Sequence, residues 1–157
     1  MKDKNKVITL PISGSMAMNH SKKYEFLLRD FLSLNEERYY DDEIYKGELC
    51  VYIKFENGIC AEQRIKIKQD MYICYTTLSC SITPENDKQV IEGVKIANKI
   101  NCKLDNGNFQ IVEETGDIQF RTQYQPVDVV RTEMLEELLF YPRVIINKYG
   151  EYFLNMI

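Results

Sequence analysis

The chain has no tryptophan, one histidine, four prolines and seven glycines among 157 residues. With His20 as its one imidazole, most histidine-dependent acid–base and nucleophilic chemistry lacks a candidate. The five cysteines (Cys50, Cys60, Cys74, Cys80 and Cys102) form no Cys-x-x-Cys pair, the usual mark of a structural zinc or redox site. Four of them fall in or beside strand-like apolar runs, where a thiol acts as a small buried hydrophobe. Inert, reduced thiols are therefore expected, with a disulfide or a metal cluster as alternatives. No apolar run approaches the ~20 residues of a membrane span. The opening stretch MKDKNKVITLPISGSMAMNH lacks the apolar core of a signal peptide, so a cytoplasmic setting is expected. There is no excess of basic charge. Twenty basic against 24 acidic side chains leave −4, which argues against a nucleic-acid partner. No Gly-x-Gly-x-x-Gly, P-loop or Gly-x-Ser-x-Gly sequence occurs, nor an Asp-x-Asp-x-Asp-Gly loop. Catalytic, cofactor-binding and metal-binding residues are accordingly all set at none.

The length and the 45% apolar content suit one domain that buries its own core. Residues 1–20 read as a flexible N-terminal arm, with a strand at 6–10 as an option, and residues 21–157 as one domain. Tyr24, Leu27, Leu28, Phe31 and Leu32 recur at spacings of three and four, predicting a helix over 21–34 capped by Ser21. The acidic, tyrosine-rich stretch 35–47 is a connection, with a short strand near 38–40. Leu49–Phe55 and Ile59–Lys68 alternate as strands. Side-chain parity selects the three-residue loop Glu56-Asn57-Gly58, which sets Phe55 opposite Ile59 and Leu49 opposite Ile65. Gln69-Asp70 turns into a third strand, Met71–Ser79, apolar or aromatic on both faces. That pattern suits a central strand covered on two sides or one contributing to a subunit contact.

Thr83-Pro84-Glu85 reads as the start of a second helix, running to about Asn101 with a buried stripe of Val90, Ile91, Val94, Ala97 and Ile100. A second hairpin pairs 108–114 with 117–124 across Thr115-Gly116. Asp128 is placed at the cap of a helix carrying Val130, Met134, Leu138 and Leu139. Pro142 ends or kinks it, and residues 143–157 form a further helical piece. Strands and helices are grouped rather than alternated, so the expected class is α+β: an antiparallel sheet of about five strands in the order α-β-β-β-α-β-β-α, helices on one face.

Within this order the stretch ANKINCKLDNGNFQIVEETGDIQFR resembles the YbjN family of bacterial proteins, through Asn101, Gly107, Phe109, Ile111, Gly116, Phe120 and Arg121. The resemblance spans roughly residues 22–155 and implies the fold of the type III secretion chaperones. It implies a non-enzymatic, chaperone-like or regulatory role and carries no catalytic residues.

Other clusters have plain readings. His20 is an idle surface residue. The acidic residues of 36–43 and the trio Glu133, Glu136 and Glu137 are solvated. Arg64, Lys66 and Lys68, with Lys54 across the hairpin, form the solvent side of a half-buried sheet. Eleven tyrosines and seven phenylalanines are a surplus with two uses, an ordinary core or a contact surface. Tyr72, Tyr75, Phe140, Tyr149, Tyr152 and Phe153 are the partner-binding candidates, on the free sheet face or the C-terminal helical region. The expected function is a non-catalytic, chaperone-like protein-binding module, forming a homodimer or burying a partner's apolar segment. The alternative is a small-molecule or ion sensor with a pocket between sheet and last helix. An enzyme using a cysteine with carboxylates is the third reading.

Overall fold

The computed structural model describes residues 7, 8, 20–41 and 47–157. The expected N-terminal arm lies outside the described residues, apart from Val7–Ile8 (β1) and His20, which opens α1 (His20–Leu34). Strands β2 (Tyr40–Asp41), β3 (Glu48–Lys54), β4 (Cys60–Lys68) and β5 (Met71–Ser81) precede α2 (Asp87–Asn101). Then come β6 (Asn108–Ile111), β7 (Asp117–Tyr124), β8 (Val130–Arg131) and α3 (Thr132–Leu154). Six strands form one antiparallel sheet in the order β2-β3-β4-β5-β7-β6, while β1 pairs with β8 in a separate two-stranded sheet. The class is the expected α+β; the sixth strand is the short β2, close to where the sequence suggested one.

Parity determined the register. Leu49 faces Ile65, the Phe55 amide donates to the Ile59 carbonyl, and Gly58 holds the loop with φ +83°. One face of the sheet therefore collects Leu49, Val51, Ile65, Tyr72, Cys74, Leu78, Ile118 and Phe120, all buried. The three helices cover this face. Tyr24 of α1 stacks on Tyr72 with ring centroids 5.1 Å apart. Phe153 of α3 lies 5.0 Å from Phe109, and Gly93 of α2 sits against Ile82 and Ile111. The α1 stripe is as expected: Tyr24, Leu27, Leu28, Phe31 and Leu32 are all buried.

Two expectations about α2 are corrected. It starts at Asp87, and its N-cap is Asn86, whose side chain accepts from the Gln89 amide. Thr83-Pro84-Glu85 precede the helix, outside it. The buried stripe is also rotated. Gly93, Ala97 and Ile100 face the core, whereas Ile91 and Val94 are exposed. The cause is a close approach at Gly93, where a Cβ would stand 2.6 Å from Ile82 Cδ1 and 2.8 Å from Ile111 Cδ1.

The C-terminal region is corrected as well. Val130 is in β8, the N-cap of α3 is Arg131 without a side-chain bond, and α3 runs through Pro142 as one helix of 23 residues. Proline within a helix removes a donor and costs about 3 kcal/mol when nothing compensates. Here the sheet compensates. The Leu138 carbonyl, four residues before Pro142, accepts from Thr122 Oγ1 at 2.9 Å. Gln63 Nε2 donates to the Leu139 carbonyl at 2.7 Å and to Thr76 Oγ1 at 3.2 Å. Gln63 Oε1 in turn accepts from Arg143 Nε at 2.9 Å, and Arg143 Nη1 reaches Glu37 Oε1 at 2.7 Å. Gln63, Thr76 and Thr122 are buried polar residues on the helix-covered face; Gln63 and Thr122 meet carbonyls of α3, and Thr76 is a partner of Gln63.

Candidate functional site

The same alternation that buries one face leaves the other open. Among the described residues no helix packs on it. Its side chains come from β3 (Tyr52, Lys54), β4 (Glu62, Arg64, Lys66, Lys68), β5 (Tyr75, Thr77) and β7 (Gln119, Arg121), exposed or half-buried. Tyr75 lies directly opposite Arg64 on β4 and Arg121 on β7.

The face is organised by side-chain pairing. Tyr40 and Tyr52 stack with centroids 5.1 Å apart, and the Tyr40 hydroxyl donates to Glu62 Oε2 at 3.1 Å. Burial, followed by hydrogen bonds to Tyr52 and Cys50, raises the Tyr40 phenol above its ordinary value. Cys50, opposite Tyr40, is buried although it belongs to this face, as are Glu48 and Ile73, which flank Lys66. Arg64 bridges Glu62 at 3.0 Å and Glu48 at 3.7 Å, and Lys66 reaches Glu48 at 3.6 Å. The basic row expected on β4 is thus partly neutralised by carboxylates from β3 and β4. Further along, Gln119 Nε2 donates to Thr77 Oγ1 at 3.1 Å and Gln110 Nε2 to Gln119 Oε1 at 3.0 Å.

At one end the sheet is concave. The β5–β7 register shifts between Thr77 and Ser81, the kind of irregularity that bends a strand. The hollow there measures about 580 Å³ and is lined by Tyr52, Glu62, Arg64, Thr77, Ser79 and Gln119, among others. It offers one aromatic face (Tyr52), one side-chain amide (Gln119) and a bridged guanidinium (Arg64), a set suited to hydrogen bonding and stacking. Cys60 is the thiol on its rim. Cys74 lies on the opposite, covered face, where burial pushes its thiol up to about 12. The side chain of His20 is outside the described residues. No group of three His, Cys, Asp or Glu side chains placed to hold a metal occurs among the described residues.

The six partner-binding candidates do not form one patch. Tyr72 and Phe153 have no exposed surface. Tyr72 stacks between Tyr24 and Tyr124 and donates its hydroxyl to the Tyr24 carbonyl at 2.8 Å. Phe140 is half-buried between Phe31 and the guanidinium of Arg143. Tyr75 is on the open sheet face. Tyr149 and Tyr152 lie together on α3, beside α2. Tyr40, Tyr52, Glu62 and Gln119 are on the open face but were not singled out from sequence. Their signal was the parity that places them opposite the core positions of the hairpin. The interval between sheet and α3, proposed for a sensor pocket, is occupied by Cys74, Thr76, Phe120, Leu135 and Leu139, all fully buried.

The residues shared with the YbjN pattern have structural jobs. The Asn101 side chain donates to the Phe109 carbonyl at 2.9 Å and accepts the Phe109 amide at 2.7 Å, tying the end of α2 to the edge strand β6. Gly116 has φ +72°, and a Cβ on it would stand 1.9 Å from the Ile82 carbonyl oxygen.

A chain of the HopA1-SchA chaperone-effector complex is similar to this one over 90% of this chain and 99% of that chain, with a TM-score of 0.54 and 13% sequence identity. The likeness identifies the fold as type III secretion chaperone-like. No family model and no curated protein matches the chain. No described helix is long and apolar enough to cross a membrane.

Proposed function

We propose that the protein is a non-catalytic, chaperone-like binding module that holds a partner polypeptide on the open face of its sheet. The observation that carries this reading is the face itself, with three helices on one side and a concave, aromatic and amide-lined surface on the other. The fold shared with a chain of a chaperone-effector complex supports a protein as the partner. The mechanism is surface complementarity: a partner segment is desolvated against Tyr52 and Tyr75 and hydrogen-bonded by Gln119 and Arg121, with no covalent step.

Self-association belongs to the same reading, since Phe26, Val127 and Val144 are exposed apolar side chains that a second copy would cover. Five free cysteines suit a reducing, cytoplasmic setting.

Selection of a phage-displayed random peptide library on the immobilised chain tests the main claim. Enriched peptides are expected to lose binding to a Tyr52→Ser/Tyr75→Ser variant that retains its wild-type unfolding midpoint. No enrichment, or enriched peptides that bind the variant equally, contradicts it. Light scattering tests self-association: a mass near twice 18.5 kDa is expected, and a mass of 18.5 kDa at every concentration removes it.

A further inference from the structure

A second surface lies on the helical side, where α2 and α3 meet. A notch of about 130 Å³ is lined by Ile96, Lys99, Ile100, Lys103, Tyr149 and Tyr152. Ile100, only 5% exposed, is part of its floor. The two tyrosine rings stand 6.3 Å apart. Among the described residues neither tyrosine hydroxyl has a hydrogen-bond partner. Lys148 adds a third ammonium group, 5.1 Å from the Tyr149 ring centroid. The notch therefore has an apolar floor, aromatic walls and a basic rim.

The basic rim continues along α2, through Lys95 to Lys88, beside exposed Ile91 and Val94. Glu92 shares this stretch. Among the described residues no carboxylate stands within ion-pair range of Lys88, Lys95, Lys99, Lys103 or Lys148. Lys95 and Lys99 are four positions apart on α2, a spacing at which like charges weaken a helix, and Lys103 follows just past the helix end. The helix dipole favours cations in the last turn, which accounts for Lys99. It disfavours Lys88 in the first turn and is indifferent to Lys95. The fold thus does not account for the whole row, which stands on a chain of net charge −4.

We infer that the notch receives an acidic segment of a partner polypeptide, one apolar or aromatic side chain seated on Ile96 and Ile100 beside the paired tyrosines, with flanking carboxylates on Lys99 and Lys103. The size selects the occupant. Drug-sized ligands need roughly 300–1,000 Å³, whereas this notch holds one side chain. Its concavity fits an inserted residue better than a flat lipid surface. The inference rests on the protein-binding reading but uses none of the sheet-face residues.

The probe is a fluorescein-labelled nonapeptide with a central Leu-Phe flanked by glutamates, compared with the same peptide carrying lysines in place of the glutamates. Fluorescence anisotropy is expected to show saturable binding of the acidic peptide alone, weakening as salt rises from ~50 to ~300 mM. Lys99→Gln/Lys103→Gln and Tyr152→Ser, each checked for an unchanged unfolding midpoint, are expected to weaken binding about tenfold. Absence of saturable binding, equal binding of the lysine peptide, or indifference to both variants overturns the inference. Co-sedimentation with phosphatidylserine–phosphatidylcholine vesicles, lost in the lysine variant and without peptide binding, overturns it in favour of a membrane. Notch binding together with a failed library selection removes the sheet-face reading and leaves this one; the reverse pattern removes this one.

Discussion

Replacing Thr122 with valine removes one hydroxyl and almost no volume. In the folded chain that hydroxyl donates at 2.9 Å to the Leu138 carbonyl, which Pro142 deprives of its ordinary helical donor. Thr122 is 2% exposed, so no water replaces the lost bond. An orphaned buried carbonyl costs about 1–3 kcal/mol, and ~2 kcal/mol is a large share of the 5–15 kcal/mol by which domains are stable. Urea unfolding followed by circular dichroism is expected to show that loss, and thermal unfolding a midpoint lowered by about 4–8 °C. The specific test is a double-mutant cycle. In Pro142→Ala the helix regains an amide that serves Leu138, so Thr122→Val in that background should cost less than half as much. Two outcomes refute the reasoning: a Thr122→Val effect within about 0.5 kcal/mol of zero, or an undiminished effect in the Pro142→Ala background.

Gln63→Ala removes a side-chain partner from the Leu139 carbonyl and leaves Arg143 Nε without its acceptor; a loss of about 2–4 kcal/mol is expected in the same urea experiment. Gly116→Ala forces a Cβ toward the Ile82 carbonyl at 1.9 Å in a left-handed backbone, so a loss of about 3 kcal/mol or more, or failure to fold, is expected in a thermal scan. Alkylation with iodoacetamide, read by mass spectrometry, should modify Cys60, Cys80 and Cys102 in the native chain and reach Cys50 and Cys74 only in urea. Alkali should destabilise the fold. Between an ordinary value near 9 and the native value of about 12, Cys74 keeps its proton when folded and loses it when unfolded. Stability attributable to Cys74 is therefore intact below pH 9 and falls by about 1.4 kcal/mol per pH unit above it. Urea midpoints measured across that range should decline less steeply in Cys74→Ala.

Period and parity made most of the sheet legible in advance. Leu49–Phe55 and Ile59–Lys68 could pair in one way that kept apolar side chains on a single face, and Asn57-Gly58 supplied the loop. Elements governed by tertiary approach were harder to see. The rotation of α2 follows from the contact of Gly93 with Ile82 and Ile111, residues outside that helix's own pattern. Local preference stops a helix at Pro142; α3 continues because Thr122 and Gln63, far earlier in the chain, meet the carbonyls around it. Their polarity at core parity positions was the available signal. Aromatic composition pointed to contact surface without distinguishing Tyr72, sealed in the core, from Tyr75 on the open face. Only the alternation of each strand separates such residues, and for Tyr149 and Tyr152 the deciding neighbours are on another helix.

The open sheet face is the central claim, and an amide NMR titration of the full chain with a peptide from the library selection tests it most directly. Shifts are expected to concentrate on β3, β4, β5 and β7 around Tyr52, Arg64, Tyr75 and Gln119. Shifts confined to α1, α2 and α3, with the sheet amides unmoved at saturation, would contradict it.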